Sequence, residues 1–156
     1  MSASAFTNGV GAAIAALVSE IAALYLADDL PWIVGYSGGK DSTATLQLAW
    51  MALRTLTPEQ RRKPVHVIST DTLVENPIVA QWADASLVAM REASTREGLP
   101  IQAHRLSPDL EDSFWVNLIG KGYPAPRRLF RWCTDRMKIR PSNKFIRSVI
   151  SERGEA

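Results

Sequence analysis

One cysteine and two histidines are all that this chain has of the residues most often used to staple or metallate a small protein. A lone Cys133 excludes an internal disulfide framework and points to a reducing compartment. His66 and His104 fall in or beside predicted strands with no His or Cys at ligand spacing, so each reads as a packed histidine rather than a metal ligand. No Ser-His-Asp order suggests a hydrolase, there are no internal repeats, and the only compositional bias is an Ala-rich first helix. The one apolar run long enough to suggest a secretory or membrane segment does not read as one. The apolar run at 10–27 carries Glu20, has no Lys or Arg before it and ends in Asp28 and Asp29. Its larger residues, Val10, Ile14, Leu17, Val18, Ile21 and Leu24, recur at helical spacing, which predicts an amphipathic core helix opened by Asn8. The expectation is a cytoplasmic protein with no membrane partner.

What is present is an ordinary globular composition, 46% hydrophobic and 22% charged, with enough chain in 156 residues to bury a core. Residues 1–156 are expected to form one domain. Apolar runs at 32–36, 65–69 and 101–106 are too short for helices and read as strands. Segment 43–54 shows apolar spacing of i, i+3, i+4 and i+7 and reads as a helix, and a second helix is read over 76–96, stopped by Gly98 and Pro100. Strands alternating with helices predict an α/β protein in three layers, a parallel sheet with helices on both faces. Trp50, Trp82 and Trp115 read as core residues. Residues 107–141 break the pattern with Pro, Gly, Arg and aromatics around a short helix at 114–119. A long irregular segment in a compact domain is usually functional. A last helix is predicted over 142–153.

Between the first strand and its helix stands "SGGKDS", residues 37–42. In an open parallel sheet the turn after a strand is where phosphates sit. Gly38 and Gly39 let the backbone approach an anion, and the free N–H groups and dipole of the following helix favour negative charge. Lys40 adds a cation, and Ser37 and Ser42 add hydroxyl donors. The loop is neither a Walker A sequence nor a dinucleotide fingerprint. Asp41 beside an anion would repel it unless a divalent cation lay between them, which implies Mg²⁺.

The loop resembles the pyrophosphate loop of the N-type ATP pyrophosphatases, the superfamily of PAPS reductases, GMP synthetase and tRNA-thiolating enzymes. That resemblance implies an adenine nucleotide alpha hydrolase-like, PP-loop ATPase fold. It also implies ATP as cofactor, with Gly35, Tyr36 and residues 37–42 around its phosphates and Lys40 and Asp41 as catalytic groups. "STDTLVENP", at 69–77, is similar to the segment in which PAPS reductases hold adenine through backbone groups, which implies Ser69, Thr70 and Asp71 as nucleotide-binding residues of this chain.

Nine of the 18 Lys and Arg residues fall between Lys121 and Arg147, where Asp135 is the only acid. "GKGYPAPRRLFRWCTDRMKIRP", at 120–141, resembles the Arg-Trp-Cys-Cys region of PAPS reductases, and its wording is similar to the DndC family, the sulfurtransferases of DNA phosphorothioation. Arg127, Arg128, Arg131, Arg136 and Lys138 suit phosphates of nucleotide or DNA, and the aromatics Tyr123, Phe130 and Trp132 among them could stack bases. For one basic segment to serve a bound nucleotide, Arg131 and Lys138 should face the loop's cleft. The resemblance implies adenylation of a DNA phosphate followed by sulfur transfer, with a cysteine desulfurase and other phosphorothioation proteins as partners. Reduction of APS or PAPS, or nucleotide sensing without catalysis, are the alternatives. The resemblance also implies Cys133 as a ligand of a [4Fe-4S] cluster or a sulfur-handling residue, but Thr134 stands where a second cysteine would. Four thiolates hold such a cluster, so it is expected only in a longer protein of which this chain is a piece, and the piece alone is not expected to be fully active.

Overall fold

The structure, a computed structural model, describes residues 9–152. The chain runs α1 (Val10–Leu26), β1 (Trp32–Gly35), α2 (Lys40–Thr55), β2 (Val65–Thr70), α3 (Pro77–Glu97) and β3 (Ile101–Leu106). Short turns follow at Leu110–Asp112 and Val116–Gly120, then α4 (Trp132–Thr134), a π-helical turn (Asp135–Ile139) and α5 (Arg140–Glu152). Asn8 and Arg153, the predicted first cap and last helical residue, lie outside the described residues. The observed cap position of α1 is Gly9, with no side chain closing it. Asn76 caps α3 as a good N-cap should, its Oδ1 accepting from the Ile78 N–H at 2.9 Å, and Pro77 takes the first helical position. The π turn has its own cause. Pro141 has no N–H to return to the preceding turn, and the wider turn before it accommodates the gap.

The three strands are parallel and lie in the order β1-β2-β3, with Val65 paired to Trp32 on one side and to Ile101 on the other. Trp32, Val34, Val65, Val67, Ile101 and Ala103 therefore share one face. Val65 and Val67 are fully buried there, clustered with Leu46 and Leu53 of α2 and Leu87 of α3. Both crossover helices consequently cover that same face, as sequential crossovers of one hand must. The other face carries His66 and His104, whose ring nitrogens lie 3.1 Å apart, with Phe145 of α5 packed against both.

This corrects the expected fold. The protein is α/β with a parallel sheet, α2 and α3 on one face and α5 against the other, but three strands are too small a sheet for the expected three-layer PP-loop fold. That fold needs a larger sheet in which the chain returns past its first strand and reverses the winding, opening a crevice at the switch point. A three-stranded sheet in strict sequence order has no such reversal.

α1 also departs from its expected role. Ile14, Val18 and Ile21 are half-buried and Tyr25 is buried, while Val10, Leu17 and Leu24 are exposed on its flank. The inward stripe is 14-18-21-25, anchored where the Tyr25 hydroxyl donates to the Lys63 carbonyl at 2.5 Å and its ring meets Trp32 edge-on. No helix among the described residues is long and apolar enough to cross a membrane.

Candidate functional site

The loop at 37–42 holds its shape by its own hydroxyls. Ser42 Oγ donates to the Gly39 carbonyl at 3.0 Å and accepts from the Ser37 N–H at 3.3 Å, and the two serine hydroxyls lie 3.2 Å apart. Gly38 sits at φ +73°, where a side chain would be strained, and a Cβ there would overlap the indole of Trp82. No side chain caps α2 at Gly39. The first-turn N–H groups of α2 are thus left to an external acceptor or to water, and Lys40 and Asp41 stand exposed beside them.

At the carboxyl ends of β1 and β2 lies a cavity of about 270 Å³. Gly35, Tyr36 and Ser37 form one wall, and Ser69, Thr70 and Asp71 at the end of β2 form another. Tyr36 is buried in the core cluster, so its contribution here is backbone, its N–H donating to the Ile68 carbonyl at 2.8 Å. Leu73, just beyond, adopts φ +61°, the single non-glycine residue at positive φ among the described residues, with its N–H held by Asp71 Oδ1 at 2.9 Å. Strain of this kind tends to collect at binding and switch segments.

Arg105, at the end of β3, lines the cavity and pairs with both Asp71 and Asp84. Burial alone would raise the Asp71 carboxyl, but the Arg105 guanidinium and the Leu73 N–H outweigh it and leave the pKa below the ordinary aspartate value. Arg105 and Asp84 were not among the residues singled out in the sequence. A lone Arg at a strand end and an Asp within a helix carry no local signature, because their pairing joins two different elements.

Trp82 corrects an expectation. It is half exposed on the cavity wall above Gly38 rather than in the core. The inward stripe of α3 runs Ala83, Leu87, Met90 and Ser94, which leaves residue 82 one position off it. Trp115 is likewise exposed, edge-on to Phe114 at 5.2 Å. Trp50 alone packs against the core, its indole N–H donating to Glu97 Oε2 at 3.0 Å.

The basic segment divides into groups with different surroundings. Lys138 reaches the cavity, as does Ser142 of α5. Arg131, expected in the same cleft, does not line it. Arg136 is committed inside the protein: it donates to Asp112 Oδ1 at 2.6 Å and to the Tyr123 hydroxyl at 2.7 Å, so it organises the segment instead of presenting a guanidinium to phosphate. Trp132 is buried, stacked on Phe114 and edge-on to Tyr123, and its indole N–H donates to the Pro124 carbonyl at 2.9 Å. Of the three interleaved aromatics, Phe130 is the exposed one. Arg127, Arg128 and Arg131 are exposed and pair with no carboxylate among the described residues.

Cys133 is half-buried beside Trp132. Among the described residues no three His, Cys, Asp or Glu groups converge as a metal site. One thiolate does not fit a cluster that needs four, and no step is assigned to iron here. Mg²⁺ is a different case, since it is commonly held by one or two carboxylates together with substrate phosphates, and exposed Asp41 at the loop fits that pattern.

No family model matches the chain. The uncharacterized protein MJ0066 of Methanocaldococcus jannaschii is similar to it, 31% identical over 116 residues that take in 74% of this chain and 20% of that protein. The chain therefore spans about a fifth of the length of this relative.

Proposed function

We propose that this chain binds ATP with Mg²⁺ and activates a backbone phosphate of DNA for sulfur transfer, as the nucleotide-handling part of a DNA phosphorothioation enzyme. The observation that carries the reading is the meeting of three separate sequence features at one cavity: Ser37 of the glycine loop, Asp71 at the end of β2 and Lys138 of the basic segment. The loop's uncapped helix start and Lys40 suit the phosphates of the nucleotide, and Asp41 would share a Mg²⁺ with them. A non-bridging oxygen of the DNA phosphate would attack the α-phosphorus of ATP and release pyrophosphate. The terminal sulfur of a persulfide supplied by a cysteine desulfurase would then attack the DNA phosphorus and displace AMP, and a thiol reductant would cleave the remaining S–S bond, leaving the phosphorothioate and a disulfide. This chain's part is to hold the triphosphate at the loop and to neutralise its charge with Lys40 and Lys138. Cys133 would handle sulfur, or ligate a cluster with thiolates from elsewhere, only in a longer protein.

Calorimetry with ATP and Mg²⁺ tests the first step. Lys40→Ala is expected to weaken binding by about 1–3 kcal/mol, the scale of one charge-assisted contact, and equal affinities would remove the loop from the site. Pyrophosphate release in the presence of DNA separates an enzyme from a nucleotide sensor, and sulfite formed with a thiol reductant would point to APS or PAPS reduction instead.

A further inference from the structure

We propose that Leu129 is a wedge that enters duplex DNA, carried on a rigid turn whose arginines grip the flanking phosphates. The side chain is 99% exposed, the extreme among the large apolar residues described. It is not on a loose loop. Arg127 and Phe130 exchange both backbone hydrogen bonds, at 3.0 and 2.9 Å, closing the turn beneath Leu129. The two legs of the turn are tied below by the bond from the Trp132 indole to the Pro124 carbonyl, and Trp132 is itself buried. Pro124 and Pro126 stiffen the incoming leg.

An aliphatic side chain fixed in full contact with water gains nothing within the protein. Next to it in the chain come Arg127, Arg128 and Arg131, exposed and without carboxylate partners among the described residues, and half-exposed Phe130. A single exposed apolar tip flanked in sequence by three exposed arginines has the chemistry of a side chain that inserts between base steps while cations hold the phosphates on either side. A membrane surface would also attract the arginines, but one leucine supplies too little apolar area for stable anchoring. The size of the tip therefore favours duplex DNA over a membrane. The inference rests on the proposed DNA substrate and specifies how that substrate is gripped.

The test uses the whole chain and a duplex carrying 2-aminopurine, whose fluorescence rises when its stack opens. Wild type is expected to raise the fluorescence, Leu129→Ser to lose that rise, and Leu129→Phe to keep it. Because residue 129 makes no core contact, equal thermal melting of the variants checks that the fold is unchanged. Replacing Arg127 and Arg128 together with Ala should lower the slope of log affinity against log salt by about 2. An unchanged rise with Leu129→Ser overturns the wedge, as does duplex binding by wild type with no rise. Leu129-dependent binding to vesicles of phosphatidylcholine and phosphatidylserine without any effect on the duplex also overturns it. Lys40-dependent ATP binding in a chain that ignores DNA would defeat this inference and leave the nucleotide site standing. A Leu129-dependent rise in a chain that binds no ATP would do the reverse.

Discussion

Residues 32–106 and residues 107–139 solve the same problem in different ways. The first region satisfies its backbone through two parallel ladders and buries Val65 and Val67 completely beneath two helices. The second has little regular structure and is held by individual side chains, with the buried Asn117 Oδ1 left without a hydrogen-bond partner among the described residues. Asp112 accepts from both Arg136 and Arg140, the Lys121 ammonium donates to the Glu111 carbonyl at 2.7 Å, and fully buried Asn117 donates to the Glu111 and Ser113 carbonyls. A ladder tolerates exchange of one apolar residue for another, because the backbone makes the bonds. A side-chain network does not, because each bond depends on one residue's geometry. The cavity lies where the two regions meet, with Ser69 and Asp71 supplied by the ladder and Lys138 by the network.

The contrast is sharpest in what single substitutions should do. Leu53→Ala removes a side chain 1% exposed at the centre of the first region and should cost about 2–5 kcal/mol of global stability, read by urea denaturation. Asp112→Ala should cost less, about 1.5–3 kcal/mol, since it strands two guanidinium groups that can still reach water. Its effect should also be local, with faster amide exchange confined to 107–139. Global loss of protection would show that the two regions fold as one unit. Gly38→Ala forces a side chain into positive φ and against Trp82, and is expected to cost about 1–2 kcal/mol, seen as a lower melting temperature together with weaker ATP binding. Loss of ATP binding at unchanged melting temperature would show that the clash is relieved by moving the loop alone.

The smallest expected effect is on pH dependence. Burial, then the charges of His66 and Arg91, lower the His104 pKa below its ordinary 6.5. The unfolded chain therefore takes the proton first, so stability is highest above that value and falls as the pH drops from 6.5 through the lower, folded pKa. Denaturation at about pH 7.5 and about pH 5.5 should show the loss, and His104→Gln should flatten it. A slope unchanged in the variant would assign the titration elsewhere.

Much of the first region was determined by the sequence alone, because its signals are local. Strand β3 occupies 101–106 as its apolar run predicts, Asn76 caps α3, and the glycines at 38 and 39 mark the turn into α2. Such features depend on neighbours within a few residues, where periodicity and backbone sterics act directly. Tertiary structure decided the rest. Nothing in the local pattern of three strands and two helices distinguishes a sequential sheet from a reversed one, since strand order is set by which distant segments pair. The fates of the charged and aromatic residues were equally nonlocal. Arg136 and Arg131 look alike in sequence, yet Asp112 lies across from one and none of the described carboxylates pairs with the other. Trp50 and Trp82 both sit in apolar helices, yet only one of them falls on its helix's inward stripe. Which partner stands opposite a side chain is set by how elements far apart in the chain come to pack, and that is a property of the folded molecule.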